Sequence, residues 1–198
     1  MSSNGIGISG VVLAGGLARR MGGVDKGLIP FAGKPMIAHV LERLRPQVDE
    51  ILINANREID QYATFGYSVI PDEVGGFAGP LAGLHRGMGA ASQPFILTAP
   101  CDSPFLPADL ASRLMLALQQ DDTDLAVAKT GTQPHPVFCL CRTSLKNHLQ
   151  SYLDKNGRKV DAWYGTLRVV EVAFDDQPHA FTNINTLEEL ESLQDQNR

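Results

Sequence analysis

Residues 10–26 read GVVLAGGLARRMGGVDK, and their types suit the capture of an anion. Gly15, Gly16, Gly22 and Gly23 let backbone N–H groups approach a ligand closely, while Arg19, Arg20 and Lys26 bring fixed positive charge. A plain connection between two elements gains nothing from so many glycines and cations in one loop. The chemistry this loop serves best is the holding of a phosphate-bearing ligand, and a nucleotide is the leading case. Further polar residues follow apolar runs downstream. Asn54 can donate to and accept from a base or sugar edge, and Asp72 can serve a base or a ribose. Asp102 sits in a loop stiffened by Pro100, Pro104 and Pro107, and is a candidate ligand for Mg²⁺. That ion takes hard oxygen donors, often one or two carboxylates together with substrate phosphates and water. Each of these three residues, taken singly, also fits a turn or a helix cap.

Other chemistries find less support. The glycine loop lacks the G-x-x-x-x-G-K-[ST] spacing of a Walker A loop, and Gly33-Lys34-Pro35 fails the same test. Residues 5–10 match G-x-G-x-x-G literally but precede the first strand, where a dinucleotide fingerprint must follow one. No Ser/His/Asp arrangement is evident. His135 lies between Pro134 and Pro136 in a predicted loop and is a candidate substrate contact. His39, His85, His148 and His179 are scattered and read as helix or surface residues. Cys139 and Cys141 share one face of a strand and suit core packing; with Cys101 they read as reduced thiols of a cytoplasmic protein. Lys155, Arg158, Lys159 and Arg168 form a basic cluster that is either a solvated face or a seat for a second anionic substrate.

The elements that must position these residues follow from apolar periodicity. The run Val11-Val12-Leu13 lacks alternation, as in a parallel strand buried on both faces. Further strands are expected at residues 50–54, 67–71, 95–99, 125–128, 136–141 and 167–174. Helices are expected from Pro35 to before Pro46 and at residues 59–65, 80–88, 110–118, 145–153 and 160–164. Thr186-Leu-Glu-Glu189 is a capping box opening a last helix. Alternation of strand and helix implies an α/β fold: a single-domain, Rossmann-like arrangement with a mainly parallel sheet, mixed at the edge and flanked by helices. Consecutive parallel strands point the same way. The glycine loop, Asn54, Asp72 and Asp102 therefore converge on the carboxyl edge of the sheet, where open α/β sheets bind ligands.

The 198 residues fit one domain, here taken as 1–198, with 43% hydrophobic and 20% charged residues. A net charge of −5 disfavours a nucleic-acid-coating role. No apolar run is long enough to span a bilayer, and the first residues lack the basic and apolar regions of a signal peptide.

The stretch L-A-G-G-x-A-x-R-M-G-G-x-D-K from Leu13 to Lys26 resembles the signature of the molybdenum cofactor guanylyltransferases, the MobA family. The resemblance runs on through Gly33-Lys34-Pro35, Asn54-Ala-Asn56, Asp72, Gly79-Pro-Leu-Ala-Gly83, Pro100-Cys-Asp102-Ser-Pro, His135-Pro136 and Asn183-Ile-Asn185. Ser103 stands where a threonine is often found. This resemblance implies a nucleotidyltransferase that moves GMP from GTP to molybdenum–molybdopterin and releases pyrophosphate. The implied division puts GTP and Mg²⁺ in the N-terminal half and the molybdopterin side in the C-terminal half. Backbone groups of Leu13, Ala14 and Gly15 would hold the nucleotide. Lys26 would meet phosphates, Asn54 and Asp72 the nucleoside, and Asp102 the Mg²⁺; apart from the resemblance, the charge of Arg19 suits the α-phosphate, with Arg20 as its backup. Asn183 and Asn185 would lie on the pterin side. A monomer is implied, meeting cofactor-delivery proteins and acceptor molybdoenzymes transiently. The nearest rival is an enzyme of the same fold using CTP or a sugar phosphate. A rival of another class is a non-catalytic adaptor that hands on the cofactor.

Overall fold

The computed structural model describes residues 6–16, 25–73, 79–120 and 122–184. Arg19, Arg20, Asn185 and the expected last helix lie outside them. Strand β1 (Ile8–Leu13) is the centre of the sheet's parallel part. Its neighbours are β4 (Glu50–Asn54) on one side and β6 (Phe95–Pro100) on the other, both parallel to it. β5 (Ser68–Ile70) adds to β4, again parallel. Leu13 pairs with both Asn54 and Pro100, so the carboxyl ends of these strands stop level with one another. The expected convergence of strand ends is thereby met.

Beyond β6 the direction changes. β7 (Leu125–Thr130) turns through Gly131 into β8 (Gln133–Arg142), and so short a connection makes the pair antiparallel. β8 inserts between β6 and β7, antiparallel to both, and β9 (Val169–Ala173) closes the far edge parallel to β7. The sheet is mixed as expected, with its antiparallel strand third from that edge. Two short strands, β2 (Pro30–Phe31) and β3 (Lys34–Pro35), form a small hairpin that the apolar pattern did not reveal.

Residues alternate between the sheet's two faces. Val12, Ile53 and Leu97 pack with α1 (Met36–Leu44) and α4 (Leu110–Leu118) on one side. On the other, Val11, Leu52 and Ile96 pack with α3 (Pro80–Ala90), α5 (Lys146–Asp154) and α6 (Val160–Tyr164). A short helix, α2 (Ile59–Ala63), adds Tyr62 to the first side. α1 buries Met36, Ile37, Val40, Leu41 and Leu44, a stripe at helical spacing that ends just before Pro46. Ile184 joins Ile29, Phe31 and Met36 in a small satellite core, so the C-terminal part of the chain is packed against the N-terminal half.

Candidate functional site

Two groups of residues form at the carboxyl edge. The first gathers on β4 and β5. The Asn54 amide donates to the Ile70 carbonyl at 3.0 Å and to Asp72 Oδ1 at 2.8 Å. Asn56 donates to Asp72 Oδ2 at 2.8 Å and accepts from the Asp72 N–H at the same distance. Asp72 is thereby clamped by two amides with its carboxylate oriented. Asn54 itself is only 3% exposed, and both its amide hydrogens have protein acceptors. In this arrangement Asn54 holds the Asp72 carboxylate, while Asn56 and Asp72 are half-exposed. Gly15 lies against the side chains of all three.

Helix α3 closes over this group. A Cβ at Gly83 would overlap Asn54 Oδ1 and stand 2.7 Å from Leu13 Cδ2, so only glycine lets the helix approach the strand ends this closely. Of the three N-terminal loop residues expected to bind through backbone, Ala14 already donates its N–H to the Asn54 carbonyl at 2.8 Å, and the Leu13 carbonyl accepts from Cys101 N–H at 3.1 Å. Those bonds lock the loop to its neighbouring strands. Gly15 N–H meets no acceptor among the described residues and is the group of the three open to a ligand.

The second group joins distant parts of the chain. A turn of 3-10 helix, Lys26–Leu28, aims the Lys26 ammonium at Asp102 Oδ2, 3.2 Å away. Both side chains are mostly but not wholly covered, at 24% and 13% exposure, so the charged pair is still reachable from solvent. Ser103, fully buried, donates its hydroxyl to Asn183 Oδ1 at 2.5 Å. The Ile184 N–H donates to the Asp102 carbonyl at 3.0 Å. Asn183 is thus brought beside Asp102, and its exposed position leaves it accessible from solvent. Among the described residues no cluster of three or more His, Cys, Asp or Glu forms a metal cage. A single oriented carboxylate fits a nucleotide-borne Mg²⁺, whose remaining donors are phosphates and water.

His135 lies on β8, not in a loop. Its ring stacks on Phe181 with centroids 4.5 Å apart, and its Nε2 meets Thr130 Oγ1 at 2.8 Å. Burial depresses its pKa, which favours the neutral ring. The basic cluster dissolves in part. Arg168 is engaged by Asp124 at 2.9 Å and by Asp122, and Arg158 donates to the carbonyls of Leu153 and Gly157. Lys155 and Lys159 remain exposed. Cys139 and Cys141 are buried in the core as expected, and all three thiols are free.

Two features escaped the sequence reading. Asp25 is 6% exposed beneath Lys26 and accepts from the Tyr62 hydroxyl at 2.5 Å. Loss of solvent raises its pKa, against the lowering pull of that hydroxyl and of Arg57. His85, read as a helix or surface residue, is in a helix but only 3% exposed, and neither ring nitrogen has a partner among the described residues. A search for unusually placed acidic and imidazole side chains within apolar helical patterns would have flagged His85. Nothing local links Asp25 to Tyr62.

The profile of the MobA-like NTP transferase domain matches residues 10–169. A molybdenum cofactor guanylyltransferase of Shewanella sp. (strain MR-4) is 50% identical over 186 residues, which cover 94% of each chain. Its counterpart from Shewanella sediminis (strain HAW-EB3) is 48% identical over 94% of this chain and 95% of its own. Among solved structures, molybdopterin-guanine dinucleotide biosynthesis protein A from Archaeoglobus fulgidus is similar in fold, with a TM-score of 0.77 over 96% of this chain and 98% of that one, at 23% identity. The 4-diphosphocytidyl-2C-methyl-D-erythritol synthase of Anaerococcus prevotii DSM 20548 shares the fold at 12% identity, with a TM-score of 0.75 over 97% and 96% of the two chains.

Proposed function

Because this chain belongs to the MobA-like NTP transferase family, we propose a division of labour in which its two residue groups hold the two ends of one reacting nucleotide. The enzyme transfers GMP from GTP to molybdenum–molybdopterin, forming the guanine dinucleotide cofactor and releasing pyrophosphate. A bond forms between an oxygen of the acceptor's phosphate and the α-phosphorus, and the bond from that phosphorus to the β-phosphate bridge breaks. The acceptor oxygen is already anionic, so no general base has to activate it. Catalysis then rests on in-line placement and on neutralising charge around the α-phosphate.

The observation that carries the residue assignment is the Lys26–Asp102 pair, 3.2 Å apart at the level where β1 and β6 end. Lys26 meets the phosphates and Asp102 holds the nucleotide-borne Mg²⁺. When bound, that ion adds positive charge at the phosphates. Gly15 offers its N–H to the nucleotide, with Leu13 and Ala14 fixing the loop behind it. Asp72, held by Asn54 and Asn56, takes the nucleoside. Arg19 is assigned to the phosphates as well, from its place in the glycine loop. Asn183 and Asn185 take the acceptor side, which the bonding of Asn183 to Ser103 beside Asp102 supports. We read residues 1–198 as one domain, a reading supported by Ile184 in the core of the N-terminal half. The setting proposed is a cytoplasmic monomer that meets delivery proteins and acceptor molybdoenzymes transiently. Three free, buried thiols suit a reducing compartment, and no helix among the described residues is long and apolar enough to cross a membrane.

Asp102→Ala tests the assignment. Transfer of GMP should fall at least about a hundredfold while the circular dichroism spectrum stays native. A fully active Asp102→Ala variant would remove Asp102 from the mechanism.

A further inference from the structure

Beneath Lys26 lies a carboxylate to which the transfer reaction gives no task. Asp25 is buried, with Oδ1 accepting from the Tyr62 hydroxyl at 2.5 Å and Oδ2 standing 3.9 Å from Arg57 Nη2. Tyr62 comes from α2 and has no exposed surface. Between the two, the chain is wedged. A Cβ at Gly27 would stand 2.7 Å from the Tyr62 hydroxyl oxygen and 3.2 Å from Cys101 Cβ, so the Lys26 turn runs in a slot with Tyr62 on one wall and Cys101 on the other. Cys101 precedes Asp102, the partner of Lys26.

A carboxylate withdrawn from water costs stability unless its partners are well placed, and an apolar residue would fill the same space at less cost. What the carboxylate supplies instead is direction. Its bond to Tyr62 holds Asp25, and the Leu28 N–H donates to the Asp25 carbonyl at 3.0 Å, so both ends of the residue are tied. Lys26, next in the chain, leaves this tied turn with its ammonium 3.2 Å from Asp102 Oδ2. A long, rotamer-rich lysine gains most from such a fixed root.

We propose that Asp25 and Tyr62 are positioning residues that aim Lys26 at the nucleotide phosphates and at Asp102. This inference rests on the reading of Lys26 as a phosphate ligand. Neither Asp25 nor Tyr62 touches substrate in it; both act through Lys26.

Calorimetric titration with GTP and Mg²⁺ separates the two claims. Lys26→Met should weaken GTP binding about tenfold, and so should Asp25→Ala. Asp25→Asn keeps an oxygen for the Tyr62 hydroxyl and should stay within about threefold of the wild type. Placed in a Lys26→Met background, Asp25→Ala should add less than about twofold, because the group it aims is gone. Tyr62→Phe, which deletes one oxygen from a buried ring, should repeat the pattern of Asp25→Ala and carries the test if that variant does not fold. Losses that multiply in the double variant would overturn the positioning role and leave Lys26 a ligand. Unchanged GTP affinity in Lys26→Met would overturn the phosphate reading and the positioning role together.

Discussion

Lys26 and Asp102 meet across 76 positions of sequence, and each was recognisable beforehand from its type and its place after a strand. What could not be read was the company they keep. A carboxylate such as Asp25 looks like any other charged loop residue until α2 brings a hydroxyl 2.5 Å from it. Asn54 shows the converse. Its type suggested a ligand contact; that it also holds Asp72 depends on a burial set by how closely α3 sits, which spacing alone does not fix. His85 is a third case, and a testable one. Burial, with help from the Lys146 charge, holds its pKa below the ordinary 6.5. As pH falls through 6.5, the unfolded chain binds a proton that the folded one refuses. Stability is therefore complete above 6.5 and is lost progressively as pH falls toward and through the lower, folded-state pKa. His135 contributes with the same sign. His85→Leu should flatten the melting temperature against pH below 6.5. It should also raise that temperature by about 2–4 °C at neutral pH, since two buried nitrogens with no partner among the described residues are removed. A variant with an undiminished acid slope would show that His85 does not carry it.

At the scale of elements, the central strands were legible because strands buried on both faces are continuous apolar runs, as Val11-Val12-Leu13 and Ile51-Leu52-Ile53 are. α1 and α4 were legible from their apolar stripes. The β2–β3 hairpin was not, since two-residue strands carry no periodicity. His135 was placed in a loop because Pro134 and Pro136 argue against a strand; the register shift between Val127 and Ala128 accommodates them. α3 has a pattern whose reason only packing reveals. Gly83 and Gly87 face the sheet, so the opposite face, with His85, is the one that α5 covers. The helix is set by its glycines at the height where its first turn reaches the strand ends. Gly83→Ala should therefore cost about 1–3 kcal/mol of stability and weaken GTP binding as Asn54 is pushed away from Asp72. Chemical denaturation together with calorimetry checks both; a variant with native stability and native affinity would mean that α3 can withdraw without consequence for the site.

For the molecule as a whole, topology does the assembling. Four strands end level at one edge, and the chain returns through Phe181, Asn183 and Ile184 to the Asp102 loop, so residues from both halves share one rim. In the proposed division of labour, donor and acceptor take adjacent seats on this rim. The topology does not by itself choose a base: the 4-diphosphocytidyl-2C-methyl-D-erythritol synthase of Anaerococcus prevotii DSM 20548 has the same fold. Guanine comes from kinship with guanylyltransferases at 50% identity. The most direct measurement is pyrophosphate release from the purified protein with Mg²⁺, molybdenum–molybdopterin and each nucleoside triphosphate in turn. The account predicts release with GTP, dependent on the molybdopterin acceptor, and none above background with CTP. Release with CTP and none with GTP would contradict it.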